Sequence, residues 1–145
     1  MKIIIFDFFR TLYDPDTDAL VPGCTAVLQA LHERGYLLYL ISRAELGRGG
    51  LIERESLIPY FAEVKLVAEK TLGGFQELLD APSVSRADSW VIGDYLKQEI
   101  KYGNQAGAKT IWIRSGKFSG LTPDIPLEEP LYTVEKISEI LQIIK

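Results

Sequence analysis

With 145 residues and a formal net charge of −4, the chain has the length of one domain with a real core. Hydrophobic residues at 47% and charged residues at 25% give a globular balance, and the lack of a basic cluster argues against a nucleic-acid partner. A single cysteine, Cys24, excludes a disulfide framework and a cysteine metal cluster.

The chain opens on an apolar, β-branched run, Ile3 to Asp7, which predicts a buried strand ending in a carboxylate. It lacks the cationic start and cleavage site of a signal peptide. No run is long enough to span a bilayer, so no membrane association is expected; with Cys24 the only cysteine, a reducing cytoplasm is the natural reading. Residues 13–18 carry Pro15 among three aspartates, which is turn chemistry. From Thr25 the apolar residues Val27, Leu28 and Leu31 follow helical spacing, and Gly35 closes that helix.

Tyr36 to Ile41 predicts a second buried strand, with Ser42 at its end. Residues 43–56 predict a helix weakened by Gly47, Gly49 and Gly50. A third strand is expected over Val64–Val67, with Lys70 just beyond, and a helix over Thr71–Leu79. Ser89–Ile92 predicts a fourth strand closed by Gly93-Asp94, followed by a helix over Leu96–Ala106 and a fifth strand over Thr110–Ile113. Pro123–Pro130 is a proline-bearing acidic loop. Apolar residues at 134, 137, 140, 141 and 144 predict a closing amphipathic helix.

Alternating strands and helices imply an α/β fold, a parallel sheet of five or more strands between helical layers. No repeat, low-complexity segment or linker divides residues 1–145, so a single domain is expected. Ligands bind outside the carboxyl ends of such strands. Asp7, Ser42 and Asp94 fall at carboxyl ends, and Lys70 follows one.

Each candidate has an ordinary reading beside a chemical one. Asp7 is a nucleophile able to form an aspartyl-phosphate, or a strand-end cap. Ser42 is a hydroxyl for a phosphoryl oxygen, or the N-cap of the next helix. Lys70 neutralises phosphate charge, or is a solvated surface lysine; Lys65 is its competitor. Asp94, facing Asp7 across strand ends, adds oxygen ligands for a hard ion such as Mg²⁺. Gly93 permits close backbone approach. Glu99 reaches the same area, or is an acid favoured at a helix N-terminus. His32 is expected at the surface, and Trp90, Trp112 and Cys24 in packing.

Together these positions resemble the haloacid dehalogenase (HAD) superfamily of phosphohydrolases. The opening Asp-x-Asp-x-Thr motif is similar to Asp7 through Thr11, the strand-end Ser corresponds to Ser42, and the motif lysine to Lys70. The closing Gly-Asp motif is similar to Gly93-Asp94 with Glu99 beyond, and Gly103 to Ile111 continues the likeness. The resemblance implies a Rossmann-like, three-layer fold with the first strand central. It implies Asp7 as nucleophile, Ser42 and Lys70 on the phosphoryl group, and Mg²⁺ held by Asp7, Asp94 and the backbone carbonyl of Phe9. Thr11, Gly93 and Glu99 would support these from behind.

Two departures stand out. Phe9 occupies the place of the second Asp, the general acid and base of family phosphatases. Arg10 stands where many members carry Gly, either binding substrate or pointing into solvent. An aromatic residue at position 9 is also reminiscent of the true dehalogenases. The spans Thr11–Pro22 and Ser42–Lys70 leave no room for cap insertions, so the chain resembles the capless branch, which often acts on large substrates or covers its site by oligomerising.

The expected activity is hydrolysis of a phosphoric monoester or acyl phosphate, on a small molecule or macromolecule, slowed by Phe9. The alternatives are a catalytically impaired protein binding phosphate or a protein partner, and displacement of the dehalogenase type. Asp14 or Asp16 is a substitute base in the first reading. The segment 115–130 lies near the site, either touching substrate or forming a loop. Homo-oligomerisation is left open.

Overall fold

A computed structural model describes all residues, Met1–Lys145. The elements in chain order are β1 (Ile3–Phe6), β2 (Tyr13–Asp14), β3 (Ala19–Leu20), α1 (Cys24–Glu33), β4 (Leu37–Arg43), α2 (Arg48–Arg54), β5 (Glu63–Val67) and α3 (Leu72–Leu79). They continue with β6 (Trp90–Gly93), a π-helical turn (Leu96–Ile100) running into α4 (Lys101–Gln105), β7 (Lys109–Ile113), β8 (Tyr132–Val134) and α5 (Ile140–Ile143).

Six strands form one parallel sheet in the order β5-β4-β1-β6-β7-β8, and β2 and β3 form a separate antiparallel hairpin. The order reverses at β1, so β1 lies between β4 and β6 and their carboxyl ends meet. That is the position at which open α/β sheets bind ligands.

β1 is buried on both faces, which is why it reads as a continuous apolar run. Ile4 and Phe6 pack with α1 through Val27, Leu28 and Leu31, and with Ile140 of α5. Ile3 and Ile5 face the other way, onto Phe75, Leu78 and Leu79 of α3. The result is the expected Rossmann-like, three-layer sandwich. Cys24, Trp90 and Trp112 are buried and His32 is exposed, as expected. Burial pushes the Cys24 thiol up to about 12, so it is a packing group rather than a reactive one.

The span from Thr11 to Pro22 holds only the small hairpin, and that from Ser42 to Lys70 holds α2, one 3-10 turn and β5. Neither contains a cap domain.

Three local expectations are corrected. The predicted helix over 43–56 begins only at Arg48, because β4 continues through Ser42 and Arg43, which pair with Leu66 and Val67. Ser42 is therefore not a helix cap; Gly47 precedes α2. The closing helix over 134–144 is instead β8, a 3-10 turn (Ile137–Glu139) and the single turn α5. Val134, Ile137, Ile140 and Ile144 are all buried, so the spacing reported burial correctly but not helix. The turn chemistry at 13–18 is the bend of the β2-β3 hairpin.

Candidate active site

The carboxyl ends of β1, β4 and β6 deliver Asp7, Ser42 and Asp94, and the segment after β5 delivers Lys70. All four are buried, although all are polar. Burying such groups costs free energy unless they are paired, so their partners define the site.

Asp7 continues β1 by one residue, its N–H donating to the Ile92 carbonyl at 3.0 Å. Its carboxylate accepts hydrogen bonds from the Lys70 ammonium and, at 3.5 Å, from the Thr11 hydroxyl. Lys70 donates as well to Glu99. Glu99, expected to support the site from behind, is thus the second carboxylate that Lys70 bridges. Burial would lower the Lys70 ammonium, but the charges of Asp7 and Glu99 outweigh that and hold it above the usual lysine range. Lys65 pairs with Glu77 at 3.1 Å on the sheet edge and takes no part.

Glu99 lies across the end of β6. A Cβ on Gly93 would meet its side chain at 2.6 Å, so glycine there makes room for the acid. Trp112 fixes the next residue, its indole N–H donating to the Asp94 carbonyl at 2.8 Å.

Asp7, Asp94 and Glu99 each offer one carboxylate oxygen within 4.8 Å of the others. Asp94 Oδ2 and Glu99 Oε2 are buried without a hydrogen-bond partner. Unpartnered buried carboxylate oxygens are costly, and an all-oxygen donor set of this kind fits a hard divalent cation. The electrostatics agree. Burial, reinforced by the Asp7 and Glu99 charges, pushes the Asp94 carboxyl up to about 9. Burial likewise raises Glu99, against the pull of Lys70. With all three acids ionised, the cluster would carry more negative charge than Lys70 alone offsets.

The cleft over these groups encloses about 370 Å³. Besides the acids and Lys70, its walls include Phe9, Arg10, Arg43, Arg48, Lys117 and Phe118. Arg10 thus faces the site rather than bulk solvent. It adopts φ 61°, the left-handed region that favours glycine. A side chain there is disfavoured by about 1–2 kcal/mol, which explains why glycine suits this turn. The start of the 115–130 segment also reaches the cleft, through Lys117 and Phe118. Asp14 and Asp16 do not line it, so neither is placed to replace the missing acid.

Arg48 was not singled out from the sequence. It is 6% exposed, and its Nη1 donates to Ser42 Oγ at 2.6 Å. Its Nη2 donates to Glu45 at 3.1 Å, and its guanidinium lies 3.7 Å from the centre of the Phe9 ring. Only the path of the chain after β4, turning at Gly47, brings it there.

Comparison with known proteins agrees with this architecture. The family model described as HAD-hydrolase-like matches residues 68–140. Pyrimidine 5'-nucleotidase PynA of Streptococcus pneumoniae is 29% identical over 126 residues, covering 82% of this chain and 52% of the relative. YfnB of Bacillus subtilis is 30% identical over 134 residues, covering 86% and 54%. A crystal structure of YfnB bound to magnesium superposes with a TM-score of 0.72, covering 88% of this chain and 57% of that one. A HAD phosphatase from Thermococcus onnurineus superposes with a TM-score of 0.79 at 14% identity, covering 99% and 98%. The chain spans about half the length of the curated relatives it matches. With a parallel sheet whose first strand is central, as expected, and a family match reaching from Ala68 to Ile140, the chain belongs to the HAD-like hydrolases.

Proposed function

We propose that residues 1–145 act as a single-domain, Mg²⁺-dependent phosphatase working through an aspartyl-phosphate on Asp7, on a phosphoric monoester or acyl phosphate. The observation that carries this reading is the buried carboxylate of Asp7 paired with Lys70, next to two acids with unpartnered oxygens. No helix is long and apolar enough to cross a membrane. A cytoplasmic setting suits the lone buried cysteine.

In this reading Asp7 attacks phosphorus, dividing one hard displacement into two. Lys70 and the Ser42 hydroxyl hold the equatorial phosphoryl oxygens, and Lys70 screens the charge of the attacking carboxylate. Thr11 orients Asp7 from the far side. Asp7, Asp94, the Phe9 backbone carbonyl and Glu99 are the groups that would hold Mg²⁺, Glu99 directly or by orienting a ligand. The ion, when bound, neutralises charge on the transferring phosphoryl group.

Phe9 is the one residue favouring the second reading, a phosphate-binding protein without turnover. General acid–base assistance is worth about 10²- to 10⁴-fold in rate. The two readings separate on 4-nitrophenyl phosphate with Mg²⁺. We expect slow turnover by the wild type, none by Asp7→Asn and an increase in Phe9→Asp. The increase should fall at the low end of that range, because Arg48 beside position 9 favours the ionised form of a new carboxylate. Negligible rates in all three proteins would replace catalysis with binding. Release of halide from a 2-haloacid, without phosphatase activity, would instead indicate the dehalogenase-type displacement.

A further inference from the structure

We propose that Arg48 and Phe9 form a leaving-group subsite that stabilises negative charge without supplying a proton, so that the preferred substrates are phosphoanhydrides or acyl phosphates. This rests on the phosphatase reading above and narrows its substrate class.

Position 9 is where a proton-carrying carboxylate would stand, two residues past the nucleophile. Here a phenyl ring fills it, and a guanidinium lies 3.7 Å from the ring centre. Arginine stays charged and is no proton donor at working pH. An alkoxide cannot leave readily under those conditions, because it is a strong base. A carboxylate or a phosphate leaves as a weakly basic anion, and a fixed cation stabilises the charge that develops on it.

Arg48 is built to be fixed. It is nearly buried, stacked on Phe9, and tied to Ser42 and Glu45 through two of its five N–H groups. It lines the same cleft as Asp7 and Lys70. Further out, Arg10 and Lys117 lie 5.6 and 5.3 Å from the Phe118 ring centre, on an aromatic face rather than on a carboxylate. They extend the positive wall along which an anionic leaving group would depart.

The chemistry balances without an acid. Asp7 Oδ bonds to phosphorus as the bond from phosphorus to the bridging oxygen breaks. That oxygen keeps the electron pair and departs as a carboxylate or phosphate. Water then adds to the same phosphorus, the Asp7 carboxylate leaves, and the protons of that water pass to phosphate oxygens and solvent.

The test compares kcat/KM with Mg²⁺ for acetyl phosphate, inorganic pyrophosphate, 4-nitrophenyl phosphate and glycerol 3-phosphate. Wild type and Arg48→Gln are assayed, with Asp7→Asn as the blank. We expect wild type to favour acetyl phosphate or pyrophosphate over glycerol 3-phosphate by at least about 100-fold. The faster of the two assigns the leaving group. Arg48→Gln should lose about tenfold or more on that substrate and little on 4-nitrophenyl phosphate, whose leaving group disperses its own charge. Comparable wild-type rates on glycerol 3-phosphate would overturn the proposal, independently of how any variant folds. An equal loss on every substrate in Arg48→Gln would reduce Arg48 to a support for Ser42. No Asp7-dependent turnover of any substrate would sink the phosphatase reading and this inference with it.

Discussion

Replacing Asp94 with Asn is expected to make the metal-free protein more stable at pH 8 while abolishing its stabilisation by Mg²⁺. The sign follows from proton counts. The Asp94 carboxyl is pushed up to about 9 from an ordinary value of 3.8, first by burial and then by the charges of Asp7 and Glu99. Between those values the folded protein holds a proton that the unfolded chain has released. Metal-free wild type therefore loses stability as pH rises from about 4 to about 9. Asparagine has nothing to titrate and removes that slope. With Mg²⁺ the wild type should behave in the opposite way, since binding requires the ionised carboxylate and grows stronger as pH rises. Thermal melts between pH 6 and 9, with and without Mg²⁺, check both halves. A wild-type melt that ignores Mg²⁺ at every pH would contradict the metal assignment.

Lys70→Met should have the largest effect on folding. Methionine keeps most of the volume, so the substitution probes charge rather than a cavity. It leaves Asp7 and Glu99 buried together without the cation that both now accept a hydrogen bond from. Breaking a buried ion pair by removing one partner typically costs about 3–5 kcal/mol. Burial already raises the Glu99 carboxyl, so protonation relieves the repulsion. The loss should therefore shrink as pH falls. Mg²⁺ should restore part of it by returning positive charge to the cluster, while phosphatase turnover stays low because the phosphoryl group has lost its ammonium. Urea unfolding at two pH values, with and without Mg²⁺, measures this. A loss under about 1 kcal/mol at pH 8 would mean that the triad is not the tightly coupled unit its geometry implies.

The positions of Asp7, Ser42 and Asp94 were legible because each ends a largely buried strand that announces itself as a short apolar run, and Lys70 because it follows β5, a partly exposed edge strand. Their convergence was legible too, since parallel strands place all carboxyl ends on one edge. Arg48 was not. It lies six residues beyond Ser42 among glycines, and nothing local marks it as buried; its place depends on the turn at Gly47 and on the ring of Phe9. β8 was missed for a related reason. Tyr132-Thr133-Val134 is too short to signal a strand, and it pairs only because β7 presents a free edge. The extension of β4 through Arg43 likewise comes from pairing with β5, a tertiary effect that overrides local spacing.

Phe9 sharpens the central claim into something measurable. A site that forms an aspartyl-phosphate but has no carboxylate at position 9 to activate water should release phosphate slowly and accumulate the intermediate. The direct measurement is rapid acid quench after mixing with acetyl phosphate and Mg²⁺, with borohydride reduction and mass mapping of the peptide carrying Asp7. The expected result is conversion of Asp7 to homoserine, dependent on Mg²⁺ and absent without acetyl phosphate. Phosphate release with Asp7 unmodified at every time point, or undiminished release by Asp7→Asn, would contradict the account.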